Sequence, residues 1–348
     1  MSRFHKLKVK SVERLTPEAV AIEFNIPEDL KQKFHFKAGQ YLTIKHEHEG
    51  EEIRRDYSIC TSPNHPTIKV GVKEVKNGKF SRFANQHIEV DTELEVMEPQ
   101  GRFTFTHNVN RDSTYVAIAA GSGITPIFSI INLALEEELN SKFLLIYGNR
   151  SLKQTMFLDQ IDSLKKKYPN RFFVEMVYSQ EHVEEAKFGR IDRSIINFFL
   201  KNRYKEWSID HYFLCGPGDL IEQVKTVLID NEVDESKIKF ELFTSSQVEK
   251  DIQTDGMTQI TVILDDEETS FEMDQENLIL DVALDEGLDA PYSCRGGICS
   301  TCMALIKEGE AKMRKNQILT DDEVANGYIL TCQAQPITPR VVVDYDDV

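Results

Sequence analysis

The sequence has little that would place the protein in a membrane, on nucleic acid or behind a disulfide framework. Long apolar runs are nearly absent. Only Tyr115 to Leu135 is apolar enough to test as a membrane span, and Gly121-Ser122-Gly123, Pro126 and Asn132 interrupt it. It reads as a strand, a tight loop and a helix. No apolar stretch that could form a secretory signal follows Met1-Ser2-Arg3-Phe4-His5-Lys6. Basic residues are scarce: 41 Lys and Arg face 58 Asp and Glu, for a net charge of −17. Phosphate backbones attract Lys- and Arg-rich surfaces, so nucleic acid is not the expected partner. Six cysteines in 348 residues, without an export signal, argue against a disulfide framework. The expectation is a soluble, cytoplasmic protein with no membrane and no nucleic-acid partner. The length and a hydrophobic content of 41% allow two or three domains with packed cores.

The few cysteines are not scattered. Cys294, Cys299, Cys302 and Cys332 follow the spacing C-x4-C-x2-C…C, with the last ligand beyond a gap of twenty-nine residues after the third. Four thiolates in that spacing hold a plant-type 2Fe-2S cluster, which moves electrons one at a time. Thiolates are soft ligands suited to iron. Gly296 and Gly297 would let the loop wrap the cluster through positive φ and close amides. Zinc is the competing reading, but zinc sites usually pair two C-x2-4-C units and no second pair accompanies Cys332. Cys60 and Cys215 stand apart from this pattern. Acid also gathers here. From Met257 to Val348, 19 Asp and Glu face 6 Lys and Arg, leaving only −4 on residues 1–256. Such a surface fits docking to a basic protein face, or serves solubility alone.

The periodicity changes twice along the chain. Val20-Ile22-Phe24-Ile26 alternates as a strand, and Tyr41–Ile44, Ile68–Val72 and Leu94–Val96 are further short strands. Residues 1–109 therefore suggest an antiparallel β-barrel or sandwich. From Tyr115 strands alternate with helices. Strands fall at Val116–Ala119, Phe143–Tyr147, Phe172–Tyr178, Tyr212–Cys215 and Ile238–Phe243, with helices at Thr125–Leu139, Phe157–Tyr168, Arg193–Leu200 and Leu220–Asp230. This implies an α/β parallel sheet over 110–244. Thr244 to Gly256 is almost free of apolar residues and reads as a linker, assigned to 245–256. A third unit of 257–348 opens with strand Thr261–Leu264 and closes with Val341–Val343. The fold class is multidomain.

Three local patterns carry further chemistry. Arg55-Asp56-Tyr57-Ser58 ends a barrel strand, after Gly39-Gln40-Tyr41 and before Gly78-Lys79-Phe80-Ser81. R-x-Y-S alone is a weak match, and a surface strand with one satisfied tyrosine would explain it. Gly121-Ser122-Gly123-Ile124-Thr125-Pro126 follows a strand and opens a helix. Its glycines let the backbone approach a pyrophosphate, whose charge the helix N-terminus attracts. Pro126 stands where the third glycine of G-x-G-x-x-G would be, so this is not the usual dinucleotide fingerprint. Cys215-Gly216-Pro217-Gly218 follows a later strand.

Together these patterns resemble the ferredoxin reductase family of flavoproteins, and Leu280–Ala283 with Pro291-Tyr292-Ser293 resembles plant-type ferredoxins across the third unit. The order flavin, nucleotide, ferredoxin resembles the reductases of oxygenases over essentially the whole chain, with Arg54–Cys60, Leu145–Arg150 and Phe188–Asp192 among the matching stretches. The resemblance implies an FAD-binding barrel, an NAD(P)-binding α/β domain and an α+β, β-grasp ferredoxin domain. It implies that Tyr57 packs on the isoalloxazine and Ser58 lies beside its N5. Arg55 pairs with the pyrophosphate, and Lys73, Gly78, Lys79, Phe80 and Ser81 contact the flavin tail. Gly121, Gly123, Thr125, Cys215 and Gly216 would hold the nicotinamide nucleotide, with Cys215 near the reacting carbon. A buried core cysteine is the plainer reading of Cys215. Phe243, in Glu241-Leu242-Phe243, would lie against the flavin or simply pack in the core. Arg150 and Arg190 could receive a 2′-phosphate, and no carboxylate follows the Phe143–Tyr147 strand before Asp159, so NADPH is favoured over NADH. Electrons would pass from NADPH through FAD and the 2Fe-2S cluster to a separate multisubunit di-iron oxygenase, or alternatively to a Rieske-type ring-hydroxylating oxygenase.

Overall fold

The computed structural model describes residues 4–243, 252 and 256–348. The chain parts after Thr244 into two compact units. The linker expected over 245–256 falls, apart from residues 252 and 256, outside the described residues.

The first unit contains two sheets. Strands β1 (Phe4–Thr16), β2 (Ala19–Asn25), β3 (Tyr41–His48), β4 (Glu51–Ser58), β5 (Ile68–Lys73) and β6 (Glu93–Met97) form an antiparallel sheet in the order β4-β3-β6-β1-β2-β5. A bridge from Ile59 to Val70 joins the chain after β4 to β5, so the sheet closes as a barrel. The alternation of Val20, Ile22 and Phe24 fills the interior with β-branched and aromatic side chains. Burying each such side chain is worth about 1.5–3 kcal/mol. The outward face of β2 is also covered: Ala19 belongs to a second core. A helix, α1 (Lys79–Gln86), stands where the sequence suggested only a turn; Phe80 and Ala84 place their side chains in the barrel core.

The second sheet is parallel. It is built from β7 (Thr114–Ala120), β8 (Lys142–Asn149), β9 (Phe172–Tyr178), β10 (Lys187–Phe188), β11 (His211–Gly216) and β12 (Ile238–Leu242) in the order β10-β9-β8-β7-β11-β12. The connections carry α2 (Ile124–Glu137), α3 (Leu158–Lys167), α4 (Arg193–Phe198) and α5 (Gly218–Asp230). The helix expected to end at Leu200 instead continues α4 as a π-helical turn over Phe199–Arg203. Strand order reverses beside β7, whose neighbours are β8 and β11. In open α/β sheets ligands bind at such a switch point, outside the carboxyl ends of the strands. The core behind this sheet also takes in Ala38, Cys60, Phe103 and Phe105 from the barrel segment, so the two sheets share one apolar seam.

The second unit is a mixed sheet with short helices. Strands β13 (Met257–Leu264), β14 (Glu267–Asp274), β15 (Met303–Glu308), β17 (Tyr328–Leu330) and β19 (Arg340–Asp344) run in the order β14-β13-β19-β15-β17. The central pair β13–β19 is parallel and the others are antiparallel. A separate ribbon pairs β16 (Ala311–Met313) with β18 (Ala334–Pro336). Helix α6 (Ile279–Asp285) buries Ile279, Leu280 and Ala283 in the core, and α7 (Asp321–Ala325) opens with a capping box at Thr320 and Glu323. The long chain between α6 and β15 carries three of the cysteines.

Candidate redox centre

The nucleotide loop is fixed by close approach. Gly123 packs so tightly on the turn after β11 that a Cβ there would stand 2.1 Å from the Cys215 carbonyl oxygen. Only glycine brings the carboxyl ends of β7 and β11 together at the switch point. Gly121 has φ +55° and its carbonyl accepts from the Tyr147 hydroxyl at 2.9 Å. Thr125 is buried, and its hydroxyl donates to the Ser122 carbonyl at 2.9 Å, so it holds the loop's shape. Gly216 ends β11 against Ala120.

Three distant segments meet at this edge. Ser58, at the end of β4, donates its hydroxyl to Glu241 Oε2 at 3.2 Å. Cys215 Sγ lies 4.0 Å from the same oxygen. All three side chains are buried. Burial pushes the Glu241 carboxyl up to about 8; the Ser58 hydrogen bond opposes the rise and the Asp56 charge adds to it. At neutral pH Glu241 therefore carries a proton. Burial, and next the Glu241 charge, hold the Cys215 thiol well above its ordinary value, so it is a neutral thiol and not a nucleophilic thiolate. Of the Glu241-Leu242-Phe243 ending, the sequence pointed to Phe243, but the residue that joins this site is Glu241. Phe243 lies just past β12, partly buried against the seam core.

Tyr57 is half-buried beside Ser58, with its ring centroid 5.3 Å from that of Phe80. Phe80 itself is buried in the barrel core and supports Tyr57 from beneath. Burial raises the Tyr57 hydroxyl, which stays protonated. Around the start of α1, Lys79 pairs with Glu51, and Arg55 also acts on that carboxylate. The Arg55 guanidinium donates to the Arg54 carbonyl at 2.7 Å. The Ser81 hydroxyl accepts from the Val75 amide at 3.2 Å and closes the turn around Gly78. A helix start flanked by two cations suits a pyrophosphate, and an aromatic face beside a small hydroxyl suits a flavin ring.

Lys73, expected at the flavin tail, lies close to the nucleotide loop. Its ammonium is 3.6 Å from the position a Cβ would take on Gly121. Burial, and next the charge of Arg150, lower its pKa, and Glu18 partly offsets them. Arg150 is exposed after β8 and Arg190 is exposed after β10, both at the carboxyl edge of the sheet. Beside Arg150, Glu181 accepts from the Leu152 amide at 2.9 Å. The segment directly after β8 holds no such carboxylate, because this acid arrives from the loop after β9.

In the second unit the four cysteines converge. Cys299 Sγ is 3.0 Å from Cys294 Sγ, and Cys332 hydrogen-bonds with both Cys294 and Cys302. Thiol donors from Cys299 and Cys332, with the amides of Gly296 and Ile298, lower the Cys294 pKa. Contacts with Cys294 and Cys302, and then burial, push the Cys332 thiol up. The positive φ expected of Gly296 and Gly297 falls instead on Arg295 (+48°) and Gly297 (+70°). Gly296 contributes its amide, which donates to Cys294 Sγ at 3.3 Å. Gly297 is needed for a second reason, since a Cβ there would sit 2.9 Å from the Lys315 carbonyl oxygen. Among the described residues no group of three or more Cys, His, Asp or Glu is set to hold a single metal ion by its geometry. Cys294 is the least buried of the four and marks the side open to solvent. Four sulfurs joined in a run of contacts, with the Gly296 and Ile298 amides at Cys294, form a donor set that fits an iron–sulfur cluster.

Comparison with known proteins agrees region by region. The family description "Oxidoreductase FAD-binding domain" matches residues 6–105, "Oxidoreductase NAD-binding domain" matches 117–226, and "2Fe-2S iron-sulfur cluster binding domain" matches 262–336. The chain belongs to the oxidoreductases that join FAD-binding, NAD-binding and 2Fe-2S ferredoxin domains and act as reductase components of oxygenases. It is 41% identical to a subunit of the 1,2-phenylacetyl-CoA epoxidase of Escherichia coli (strain K12) over 99% of each chain. It is 30% identical to the ferredoxin reductase component of 3-ketosteroid-9-alpha-monooxygenase of Rhodococcus rhodochrous, over 99% of this chain and 97% of that one. The solved phthalate dioxygenase reductase, described as a modular structure for electron transfer from pyridine nucleotides to [2Fe-2S], shares the fold with a TM-score of 0.61 and 24% identity over 98% of each chain. The expected fold class, the cofactor types and the electron-transfer function follow. No helix among the described residues is long and apolar enough to cross a membrane.

Proposed function

We propose that this protein is the reductase of a phenylacetyl-CoA epoxidase, taking electrons from NADPH and delivering them to a multisubunit di-iron oxygenase in phenylacetate breakdown. The observation that carries this reading is the 41% identity to the Escherichia coli epoxidase chain over 99% of both sequences. The domain divisions proposed for it are residues 1–109 for FAD, 110–244 for the nucleotide and 257–348 for the cluster.

When bound, the flavin supplies hydride acceptance and the cluster supplies single-electron release. The protein's part is to hold and shield them. Tyr57 and Ser58 would face the flavin ring, and Arg55, Lys79 and the start of α1 its phosphates. Gly121 and Gly123 give the nucleotide a close backbone, and Lys73 and Arg150 supply positive charge to its phosphates. Arg150 and Arg190 favour the 2′-phosphate of NADPH. Glu241 would hold a proton against Ser58 and Cys215, keeping that buried edge uncharged near pH 7. Cys294, Cys299, Cys302 and Cys332 would hold the cluster.

A second reading is that the partner belongs to another oxygenase class, and the likeness to the 3-ketosteroid-9-alpha-monooxygenase component favours keeping it. Purified candidate oxygenases should be tested for NADPH-driven product formation with this reductase. Turnover of phenylacetyl-CoA supports the proposal. Turnover only with a Rieske-type enzyme would contradict it, and a lower KM for NADH than for NADPH would overturn the coenzyme assignment.

A further inference from the structure

We propose that Tyr345 and Thr331 are positioning residues that clamp two cluster ligands from separate segments, Cys302 and Cys332, and so set the cluster's reduction potential and its retention of iron. The inference rests on the cluster ligation described above.

Thr331 immediately precedes Cys332, yet its polar groups are turned to Cys302. Its amide donates to the Cys302 carbonyl at 3.1 Å, and its hydroxyl donates to the same carbonyl at 2.9 Å. The Thr331 carbonyl in turn accepts the Leu280 amide at 3.1 Å, tying the pair to α6. Tyr345 lies just past β19, and its hydroxyl donates to Thr331 Oγ1 at 2.8 Å. The Tyr345 amide is held by the Ile263 carbonyl at 3.0 Å, which fixes the phenol's backbone to strand β13. Both side chains are buried, Thr331 at 0% and Tyr345 at 2% exposure. Water therefore does not replace either hydrogen bond when it is removed.

The chemistry follows from these contacts. The Cys302 carbonyl belongs to a ligand residue and accepts both the amide and the hydroxyl of Thr331. Two donors on that oxygen reduce its negative potential at the cluster, and the Tyr345 hydroxyl orients one of them. Partners that orient ligand residues from outside tune both metal affinity and potential. Sequence pattern could not locate the clamp, because Tyr345 lies outside the four-cysteine motif and reaches it only through the β13–β19 pairing.

Tyr345→Phe, Thr331→Val and Thr331→Ser test the clamp in the full-length holoprotein. The readouts are the midpoint potential of the cluster and the rate of iron release to a chelator. Tyr345→Phe and Thr331→Val should shift the potential to more negative values and speed iron release by about tenfold, the lower end of the effect expected for outer-shell partners. Thr331→Ser keeps the hydroxyl and should behave nearly as wild type. The clamp is overturned if Tyr345→Phe and Thr331→Val keep wild-type potential and release rate, or if Thr331→Ser changes them as much as Thr331→Val. Should Thr331→Val not fold, Tyr345→Phe decides alone. Wild-type protein lacking both iron and acid-labile sulfide would remove the cluster reading itself, and the clamp with it.

Discussion

The two chemically active regions are assembled in opposite ways. Three of the four sulfurs in the second unit come from one loop of nine residues, and one partner is brought in from a distance. At the edge of the first unit no two of Ser58, Cys215 and Glu241 are near in sequence; the Ser58–Glu241 hydrogen bond spans 183 residues. Local turns and amides bring the three loop ligands together, and Thr331 links Cys332 to them. The proposed hydride site needs a closed barrel, a parallel sheet and the apolar seam between them. The first should therefore tolerate changes elsewhere in the fold better than the second, except at Thr331 and Tyr345.

The largest effect expected from breaking this contrast is at the cluster. Cys302→Ala or Cys332→Ala should abolish iron–sulfur absorbance while flavin absorbance and its reduction by NADPH persist. Spectra of the purified variants check it. At the other site, Ser58→Ala removes one buried donor and should slow flavin reduction by about 10²-fold with cluster content unchanged. Rapid-mixing absorbance reads this directly.

Smaller effects sharpen the role of the seam. Gly123→Ala forces a Cβ against the Cys215 carbonyl and should cost about 1–3 kcal/mol, read as a lower thermal midpoint for the first unit only. Lys73→Met should raise KM for the nucleotide about tenfold, the worth of one charge-assisted hydrogen bond, and leave flavin content intact. Loss of flavin with unchanged nucleotide KM would return Lys73 to the flavin tail.

Glu241 adds a pH dependence to the first unit. Its folded pKa of about 8 lies above the ordinary 4.5, so between those values the folded chain holds a proton that the unfolded chain has released. Its contribution to stability falls as pH rises through that window. Glu241→Gln should flatten the decline, measured as the difference in thermal midpoint between variant and wild type at pH 5 and pH 8.

The sequence disclosed these regions unequally, for the same reason that they are built differently. Ligand spacing is a local property, and Cys294, Cys299, Cys302 and Cys332 could be read as a set. The alternation of strands and helices after Tyr115 located the parallel sheet, and turn residues located the barrel. Helix α1 was hidden because eight residues following a glycine turn give too short a period. The partnership of Ser58, Cys215 and Glu241 could not be read from any window, since only the closure of two sheets creates it. Glu181 reached the loop beside Arg150 for a similar reason, across the gap between two strands of one sheet. Left-handed φ moved from Gly296 to Arg295 because the Gly296 amide is needed at the Cys294 sulfur, a demand set by the folded loop.

The central claim is one path, from nicotinamide through flavin to cluster, with Ser58 at its entrance and the cysteines at its exit. Flavin and cluster absorbance should be followed together after anaerobic mixing of NADPH with wild type and Ser58→Ala. The account predicts that both signals slow by the same factor in the variant. Cluster reduction at the wild-type rate beside slowed flavin reduction would contradict it.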